Sequence, residues 1–408
     1  MNKLKITLCS LFAGALFYST IPASQVYAWD SNKDPNVLDT HKMIAEQSVK
    51  CVTNDSSSVE NIKFKVNLDI LTKNLTIYKN GSVAPDFGDV GTDRDYRLYQ
   101  DHFYDPDEDT NFTSNFPYPF YTIDDTAESQ VRNYFSQAVA KWKDSNYEGA
   151  SYDLGKAMHY LSDIAEPHHA SNVTAGINSP HVPFESYAEK VKENYKIDTL
   201  GYSTSEGEYA LSLNYQYFTD FITAQSQKYG KISKDLYYSH AKMSNSWEDW
   251  EYAVKKSLTN SQINGASLIY NFLNEVSTDK KIDMPSEIGK FHVVISTTNE
   301  TYAGTDDYVY FGMELDDGRK FEFNCDVAGD DFEQGYKTSY QFNIQSEDFF
   351  NLSQVKNVWI RKAKYIGDDW KIKDLEIYIK GNRVLNKNIN EWLSGNSTYN
   401  IPVDGLWN

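Results

Sequence analysis

The stretch AMHYLSDIAEPHHASNV, residues 157–173, holds three of the eight histidines in a chain of 408 residues. His159 and Asp163 are four residues apart, so on a helix they share one face. Pro167 is expected to end that helix and to leave His168 and His169 on the loop beyond it. Imidazole nitrogen and carboxylate oxygen are ligands that zinc accepts. The stretch therefore predicts a helix that presents metal ligands, followed by a loop that adds more.

A second pair with the same spacing follows at His181 and Glu185, in SPHVPFESY. One such pair alone is more often structural than metal-binding, because single histidines on helices commonly lie at the surface or in the core. Two pairs and a loop histidine, in a chain with so few histidines, favour a metal site.

Three further residues are candidates to complete that site. They are His41 on the first predicted helix, Asp86 in the loop APDFGD and His102 in YQDHFYD. Each of them alone also fits ordinary packing or a turn, and that alternative stays open. His240 and His292 are interpreted as structural.

The first 28 residues predict a secretory signal peptide. Lys3 and Lys5 precede an apolar run over residues 6–18, and small residues suited to cleavage end at Ala28. The run is too short to span a membrane as a helix. Cleavage after Ala28 would start the mature chain at Trp29. The protein is therefore expected to be secreted and extracellular.

Charge and cysteine content narrow the functional class. The net charge is −19, and it becomes −21 when Lys3 and Lys5 leave with the signal peptide. A strongly acidic chain argues against a nucleic-acid partner and suits divalent cations. Cys51 and Cys325 then remain, in different predicted domains, so no disulfide framework is expected.

The pattern of apolar residues predicts a multidomain α and β protein. Residues 29–276 are predicted to form an all-α domain, and residues 277–288 are a polar linker. Residues 289–408 alternate with a period of two in six short runs, which predicts a β-sandwich. The runs are FHVVISTT, DDYVYFGMEL, RKFEFN, TSYQFNI, KNVWIRKAKYI and DLEIYIKG. The helical segments are VLDTHKMIAEQSV, DDTAESQVRNYFSQAVAKWKDS, ASYDLGKAMHYLSDI, FESYAEKVKENY and WEYAVKKSL with its continuation.

Taken in order, these motifs resemble a known family. The matching stretches are Trp29-Asp30, His41, APD at 84–86, YQDHF at 99–103, AMHYLSDI and PHH within 157–169, HVPFE at 181–185, SWEDWEYA at 246–253, AGTDDYVYFG at 303–312 and INEWLSGNSTYNI at 389–401. Together they resemble the zinc-dependent phospholipases C, and closely the clostridial alpha-toxin type with an added C-terminal domain. The resemblance runs from Trp29 to the end of the chain.

The resemblance implies three zinc ions. One would be held by Asp86, His102, His159 and Asp163, a second by His169, His181 and Glu185, and a third by the amine and carbonyl of Trp29 with His41 and a bridging Asp163. Asp86 is also implied as the general base. His168 is assigned no role by the family motif.

The implied activity is hydrolysis of phosphatidylcholine to diacylglycerol and phosphocholine by zinc-activated water, with sphingomyelin as an open second substrate. Phe87, Tyr99 and Phe103 lie near the predicted site, where they would either bind choline by cation–π contact or serve as ordinary packing. The expected partner is phospholipid in membranes. No nucleic acid and no protein partner are implied, and the protein is expected to be a monomer.

The C-terminal sandwich resembles PLAT or C2-like domains that bind membranes with calcium. The implied calcium ligands are Gly304, Thr305, Asp306, Asp326, Gly329, Asp331 and Asp368, and the implied membrane contacts are Tyr308 and Tyr365. Tyr302 stands where the family has an acid, and the loop 364–370 is shorter, with Trp370 as a candidate replacement aromatic. A weaker calcium site is therefore expected, and haemolysis by such a toxin stays open.

Two alternatives remain at this stage. A zinc nuclease of the S1/P1 type shares the N-terminal Trp and the three-zinc logic, but the attached sandwich and the acidic charge count against it. A non-catalytic membrane-binding protein stabilised by zinc and calcium would not need a loop-borne carboxylate such as Asp86.

Overall fold

The computed structural model of the protein describes residues 29, 31–87, 99–115, 125–176, 178–278, 284–325 and 332–403. In these ranges a helical N-terminal part is followed by antiparallel β-sheets, which confirms the predicted fold class. The predicted signal peptide lies outside the described residues. Cys51 and Cys325, the two cysteines that follow it, are buried, and neither forms a disulfide bond among the described residues.

The helical part contains nine α-helices among the described residues. They are α1 (Thr40–Asp55), α2 (Ile62–Lys73), α3 (Leu75–Gly81), α4 (Ala127–Lys143), α5 (Tyr147–Ile164), α6 (His181–Val191), α7 (Gly207–Ser212), α8 (Phe218–His240) and α9 (Trp247–Ser277). The segments predicted individually correspond to α1, α4, α5, α6 and α9. None of the described helices is both long and apolar enough to cross a bilayer.

Helix α3 packs unusually close to α5 because each helix carries a glycine, Gly81 or Gly155, at the contact. A Cβ atom at Gly155 of α5 would lie 2.1 Å from the carbonyl oxygen of Tyr78 and 2.8 Å from the Cα of Gly81. The turn that follows α3 is thereby held against α5, where Nδ1 of His159 lies 2.9 Å from the carbonyl oxygen of Ser82. The short 3-10 helix Ala84–Phe87, which carries Asp86, starts two residues later.

Gly155→Ala is expected to lower the free energy of unfolding by about 1–3 kcal/mol, because the added methyl group overlaps the Tyr78 backbone. Helix propensity alone would favour alanine by about 1 kcal/mol, so the clash sets the sign. Glu148→Ala on the exposed start of α5 is the control, with an expected change within about 0.5 kcal/mol. Chemical denaturation measures both, and a stabilised Gly155→Ala would contradict the close approach.

The sandwich contains eight strands among the described residues. They are β1 (Lys290–Thr297), β2 (Tyr308–Leu315), β3 (Lys320–Asn324), β4 (Lys337–Asn343), β5 (Val355–Ala363), β6 (Asp369–Ile379), β7 (Asn382–Ser394) and β8 (Ser397–Pro402). One antiparallel sheet has the order β4-β1-β6-β7 and the other β3-β2-β5-β8. The first six correspond to the predicted runs, and β7 and β8 were not predicted as strands.

The two parts meet along α4. Arg132 is buried, pairs with Glu128 one turn before it and donates to Oε1 of Gln341 on β4 at 2.9 Å. At the end of the same helix, Asp144 accepts two hydrogen bonds from Arg383 of β7 at 2.7 and 2.9 Å.

Helix α9 ends at Ser277 and β1 begins at Lys290, while residues 279–283 of the predicted linker lie outside the described ranges. The domain boundaries stay a prediction.

Candidate metal centre

Three separate segments contribute the ligand atoms of the first predicted set. His159 and Asp163 share one face of α5, as predicted, and Nε2 of His159 lies 3.3 Å from Oδ2 of Asp163. Nδ1 of His102 lies 3.0 Å from both Nε2 of His159 and Oδ2 of Asp163. Oδ1 of Asp86 lies 3.7 Å from each of the same two histidine nitrogens. The first predicted ligand set is therefore gathered in one buried cluster.

His41 of α1 extends this cluster. Its Nε2 lies 3.6 Å from Oδ1 of Asp163 and 3.8 Å from Oδ2 of Asp86. Its ring stacks on that of His159 with the centroids 4.0 Å apart. Trp29 is fully buried beside it, and the main-chain nitrogen of Trp29 lies 3.3 Å from Nε2 of His41. The Trp29 indole donates to the carbonyl oxygen of Ser162 at 2.9 Å, which fixes the residue against α5.

A neighbouring cluster contains the remaining three predicted ligands. Nε2 of His181 lies 2.8 Å from Oε1 of Glu185, one turn later on α6. Nε2 of His169 lies 3.7 Å from the same carboxylate oxygen, and the two histidine rings are 4.8 Å apart. Nδ1 of His169 lies 2.7 Å from the carbonyl oxygen of His102, which connects this cluster to the first.

Burial sets the charge of these groups. It lowers the pKa of the five candidate imidazoles below the usual value, to about 3 for His159, so the rings are neutral and each has one nitrogen with a lone pair. Burial also raises the pKa of Asp163, and the nearby acids Asp86 and Glu166 raise it further. Acids packed this tightly are stabilised by added positive charge.

The spacing of the donor atoms fits metal ions. Ligand atoms about 2.1 Å from a tetrahedral zinc ion lie about 3.4 Å apart. Three buried groups of potential ligands, each with its atoms within 4.8 Å of one another, occur in the described ranges. They are Asp86 with His102 and His159, His41 with His159 and Asp163, and His169 with His181, Glu185 and Glu166. Nε2 of His169 and Oδ1 of Asp163 are buried with no hydrogen-bond partner among the described residues, as expected of atoms reserved for a metal.

The three aromatic residues predicted beside the site have different surroundings. Phe103 is 1% exposed, and its ring stacks on that of His169 with the centroids 4.3 Å apart. It therefore packs against a candidate ligand. Tyr99 and Phe87 are half-buried, and the Tyr99 hydroxyl donates to the carbonyl oxygen of Asp86 at 3.1 Å. Tyr99 and Phe87 therefore remain the aromatic candidates for a head-group pocket.

At one end of the sandwich, the carboxylates of Asp307 and Asp368 link two loops through hydrogen bonds. Asp368 accepts from Oγ1 of Thr305 at 2.6 Å and from the main-chain nitrogen of Asp306 at 3.1 Å. Asp307, which sequence analysis did not select, pairs with the fully buried Lys362 and accepts from the main-chain nitrogens of residues 365–367. Burial opposes its ionisation, but Lys362 and these three N–H groups hold the pKa of Asp307 well below its usual value. Asp326, Gly329 and Asp331 lie outside the described residues.

Aromatic residues are exposed at the same end. Tyr365 is 67% exposed and its ring lies 5.4 Å from that of Tyr308, so the two predicted membrane contacts are neighbours. Tyr302 is 87% exposed. The expectation for Trp370 was wrong, because its ring is fully buried in the sandwich core and its indole donates to Oγ1 of Thr297.

Comparison with known proteins agrees with this geometry. The sequence model of the family described as zinc-dependent phospholipase C matches residues 40–268, and that of the PLAT/LH2 domain matches residues 291–403. The chain belongs to the zinc-dependent phospholipase C family. It is 43% identical to a phospholipase C of Clostridium perfringens over 400 residues, which cover 97% of this chain and 98% of that one.

Solved structures give the same result for the fold of this phospholipase C. The alpha toxin of Clostridium absonum matches with a TM-score of 0.85 and 40% identity, over 91% of this chain and all of that one. The alpha-toxin of an avian strain of Clostridium perfringens matches with a TM-score of 0.83 and 43% identity, over the same shares. The predictions of a zinc-dependent phospholipase C with a PLAT-type C-terminal domain are therefore confirmed.

Three buried residues near the ligands were not predicted to contribute. The carbonyl oxygen of Ser82 and the hydroxyl of Ser162 lie 2.9 Å from Nδ1 of His159 and of His41 respectively, and each orients a candidate ligand ring. Glu166 lies against the turn that contains His169. Ser162 and Glu166 lie within the stretch 157–173, so their closeness in sequence to the candidate ligands could have identified them. Ser82 reaches the site only through the packing of α3 on α5.

Proposed function

We propose that this phospholipase C hydrolyses phosphatidylcholine in membranes to diacylglycerol and phosphocholine, using three zinc ions held by the two buried clusters. Bound zinc would lower the pKa of a water molecule and offset negative charge on the phosphoryl oxygens. The ligand sets would be Asp86, His102, His159 and Asp163; His169, His181 and Glu185; and Trp29, His41 and Asp163. The observation that carries the proposal is the convergence of all these residues on α5 and the turn after it.

Asp86 is the proposed general base. Its carboxylate lies among His41, His102 and His159 and comes from the short helix Ala84–Phe87 rather than from the core of the bundle. It would accept the proton of the attacking water as the phosphorus–oxygen bond to the glycerol breaks, and the diacylglycerol oxygen would take up a proton as it leaves. Tyr99 and Phe87 beside it would bind the choline group by cation–π contact.

The proposal extends to the route by which the enzyme reaches its substrate. Residues 1–28 would direct secretion and be removed, which leaves Trp29 as the mature N-terminus. The sandwich would then dock on the membrane through Tyr308 and Tyr365, and calcium would bind the acidic loops around Thr305, Asp306 and Asp368. These loops already lie side by side, which supports a shared cation site.

Phosphocholine release from phosphatidylcholine vesicles tests the activity, using protein that begins at Trp29 and is loaded with zinc. Release is expected, and vesicle binding without release would favour a non-catalytic membrane protein. Cleavage of single-stranded DNA in place of lipid would favour the nuclease. Calcium should increase the rate on vesicles and leave the rate on a short-chain, monomeric phosphatidylcholine unchanged.

Tyr365→Ala is expected to weaken vesicle binding about tenfold, because it removes an exposed ring that would be buried in the lipid interface. Phe349→Ala is the matched control, since Phe349 is also an exposed aromatic residue. It lies beside Gly289, before the start of β1, whereas the loop that contains Tyr365 lies near the other end of β1. Co-sedimentation with vesicles measures both. Equal binding by the two variants would contradict the assignment of this end of the sandwich to the membrane.

A further inference from the structure

Glu166 is a fully buried acid whose two carboxylate oxygens both bond to the turn after α5. Oε2 accepts from the main-chain nitrogens of His168 at 2.6 Å and His169 at 2.8 Å. Oε1 lies 2.7 Å from Nδ1 of the His168 ring. One side chain thereby fixes the main chain at the point where the candidate ligand His169 begins the 3-10 helix His169–Ser171.

His168, to which the family motif assigns no role, completes this arrangement. Its ring is fully buried and lies parallel to that of the candidate ligand His181, with centroids 5.2 Å apart and an angle of 7°. Its Nε2 lies 3.1 Å from the carbonyl oxygen of Ala241, directly after α8. The His168 ring therefore packs against the ring of His181, and its contact with Ala241 connects the turn after α5 to the end of α8.

The orientation of His169 depends on this turn. Its Nδ1 lies 2.7 Å from the carbonyl oxygen of His102, and its ring stacks on Phe103. These contacts aim Nε2 at Glu185, 3.7 Å away, only while the main chain of His169 stays where Glu166 holds it.

We propose that Glu166 and His168 form a positioning pair that sets the geometry, and so the metal affinity, of the site made by His169, His181 and Glu185. The inference rests on the proposed function, because it assumes that this site binds zinc. Glu166 also lies within 4.8 Å of the other three ligand atoms, so direct ligation is the competing role. The bonds from both of its oxygens to the turn favour positioning over ligation.

Two substitutions of Glu166 separate these roles. Partners that orient metal ligands typically change metal affinity by about 10–100-fold when they are removed, so Glu166→Ala should weaken one zinc site at least about tenfold. Glu166→Gln keeps an oxygen for the two main-chain N–H groups, and its amide can donate to Nδ1 of His168, so it should stay within about threefold of wild type. A direct ligand would instead lose similar affinity in both variants, because a neutral amide is a poor zinc ligand.

The experiment is a zinc titration of the full mature chain against a chromophoric chelator, together with the visible absorption spectrum of the cobalt-substituted protein. Asp55→Ala is the control, since Asp55 also caps a turn, accepting from the Leu200 nitrogen at 2.8 Å and the Tyr209 hydroxyl at 2.9 Å, but it contacts no candidate ligand. The zinc affinities and the cobalt spectrum of Asp55→Ala should equal those of the wild-type protein.

Loss of one tight site in Glu166→Ala, with retention in Glu166→Gln and Asp55→Ala, is the expected result. Equal loss in both Glu166 variants, or no loss in Glu166→Ala, overturns the positioning role. If Glu166→Ala does not fold, His168→Phe decides, because it keeps the ring beside His181 but loses both polar contacts, and unchanged affinity there overturns the proposal. Wild-type protein that binds no zinc would overturn the proposed function itself. The wild-type titration therefore distinguishes that failure from failure of the positioning role.

Discussion

Asp86→Asn is expected to lower kcat by about 10²–10⁴-fold, because an amide cannot take a proton from the attacking water. Asparagine is a poorer zinc ligand than aspartate, but His102, His159 and Asp163 remain, so much of the zinc should stay bound when zinc is supplied in excess. The measurement is kcat for phosphocholine release, made beside the zinc content of the same sample. Loss of activity with metal retained separates the base from a residue that only holds the metal.

The control is Asp153→Asn. Asp153 is also buried, but it pairs with Lys141 of α4 at 2.5 Å and contacts none of the candidate ligands. It should keep wild-type kcat even if it lowers stability. Full activity in Asp86→Asn would refute the base role, and loss of zinc along with activity would reduce Asp86 to a ligand.

A protein with two extra residues before Trp29 is expected to lose both activity and one zinc ion. The main-chain nitrogen of Trp29 is buried beside His41, and only a free, neutral amine at this place offers a lone pair to a metal. An unperturbed terminal amine has a pKa near 8, so it is available at mildly alkaline pH. A peptide nitrogen in its place has no lone pair to donate, so metal loading would depend on removal of the predicted signal peptide.

The matched control for the extension carries a protease site that regenerates Trp29. Cleavage of the same sample should restore zinc content and activity together. An extended protein that is as active before cleavage as after it would rule out the terminal amine as a ligand.

Local spacing was sufficient to predict the helix-borne part of the site. His159 with Asp163, and His181 with Glu185, are each one turn apart on a helix, and α5 ends at Ile164, shortly before Pro167. The contribution of His41, Asp86 and His102 depends on how distant segments pack, so their residue types alone left ordinary packing as an alternative. It was the order of the motifs, compared with the family, that joined them into one site.

The parts that were missed depend on tertiary packing. Gly81 and Gly155 look like ordinary helix residues in the sequence, yet their close approach places Ser82 and Asp86 against α5. Strand β7 carries polar residues at most positions and gives a weak alternating pattern, so it was not predicted. Trp370 was expected at the surface because of its loop, but it is the second residue of β6 and its ring is buried in the core.

The most direct test of the metal centre is anomalous X-ray scattering at the zinc edge from crystals of the protein that begins at Trp29. Three peaks are predicted: one among Asp86, His102, His159 and Asp163, one among His169, His181 and Glu185, and one between the terminal amine and His41. Zinc-loaded crystals of active enzyme with no peak at these residues would contradict the assignment of the catalytic site.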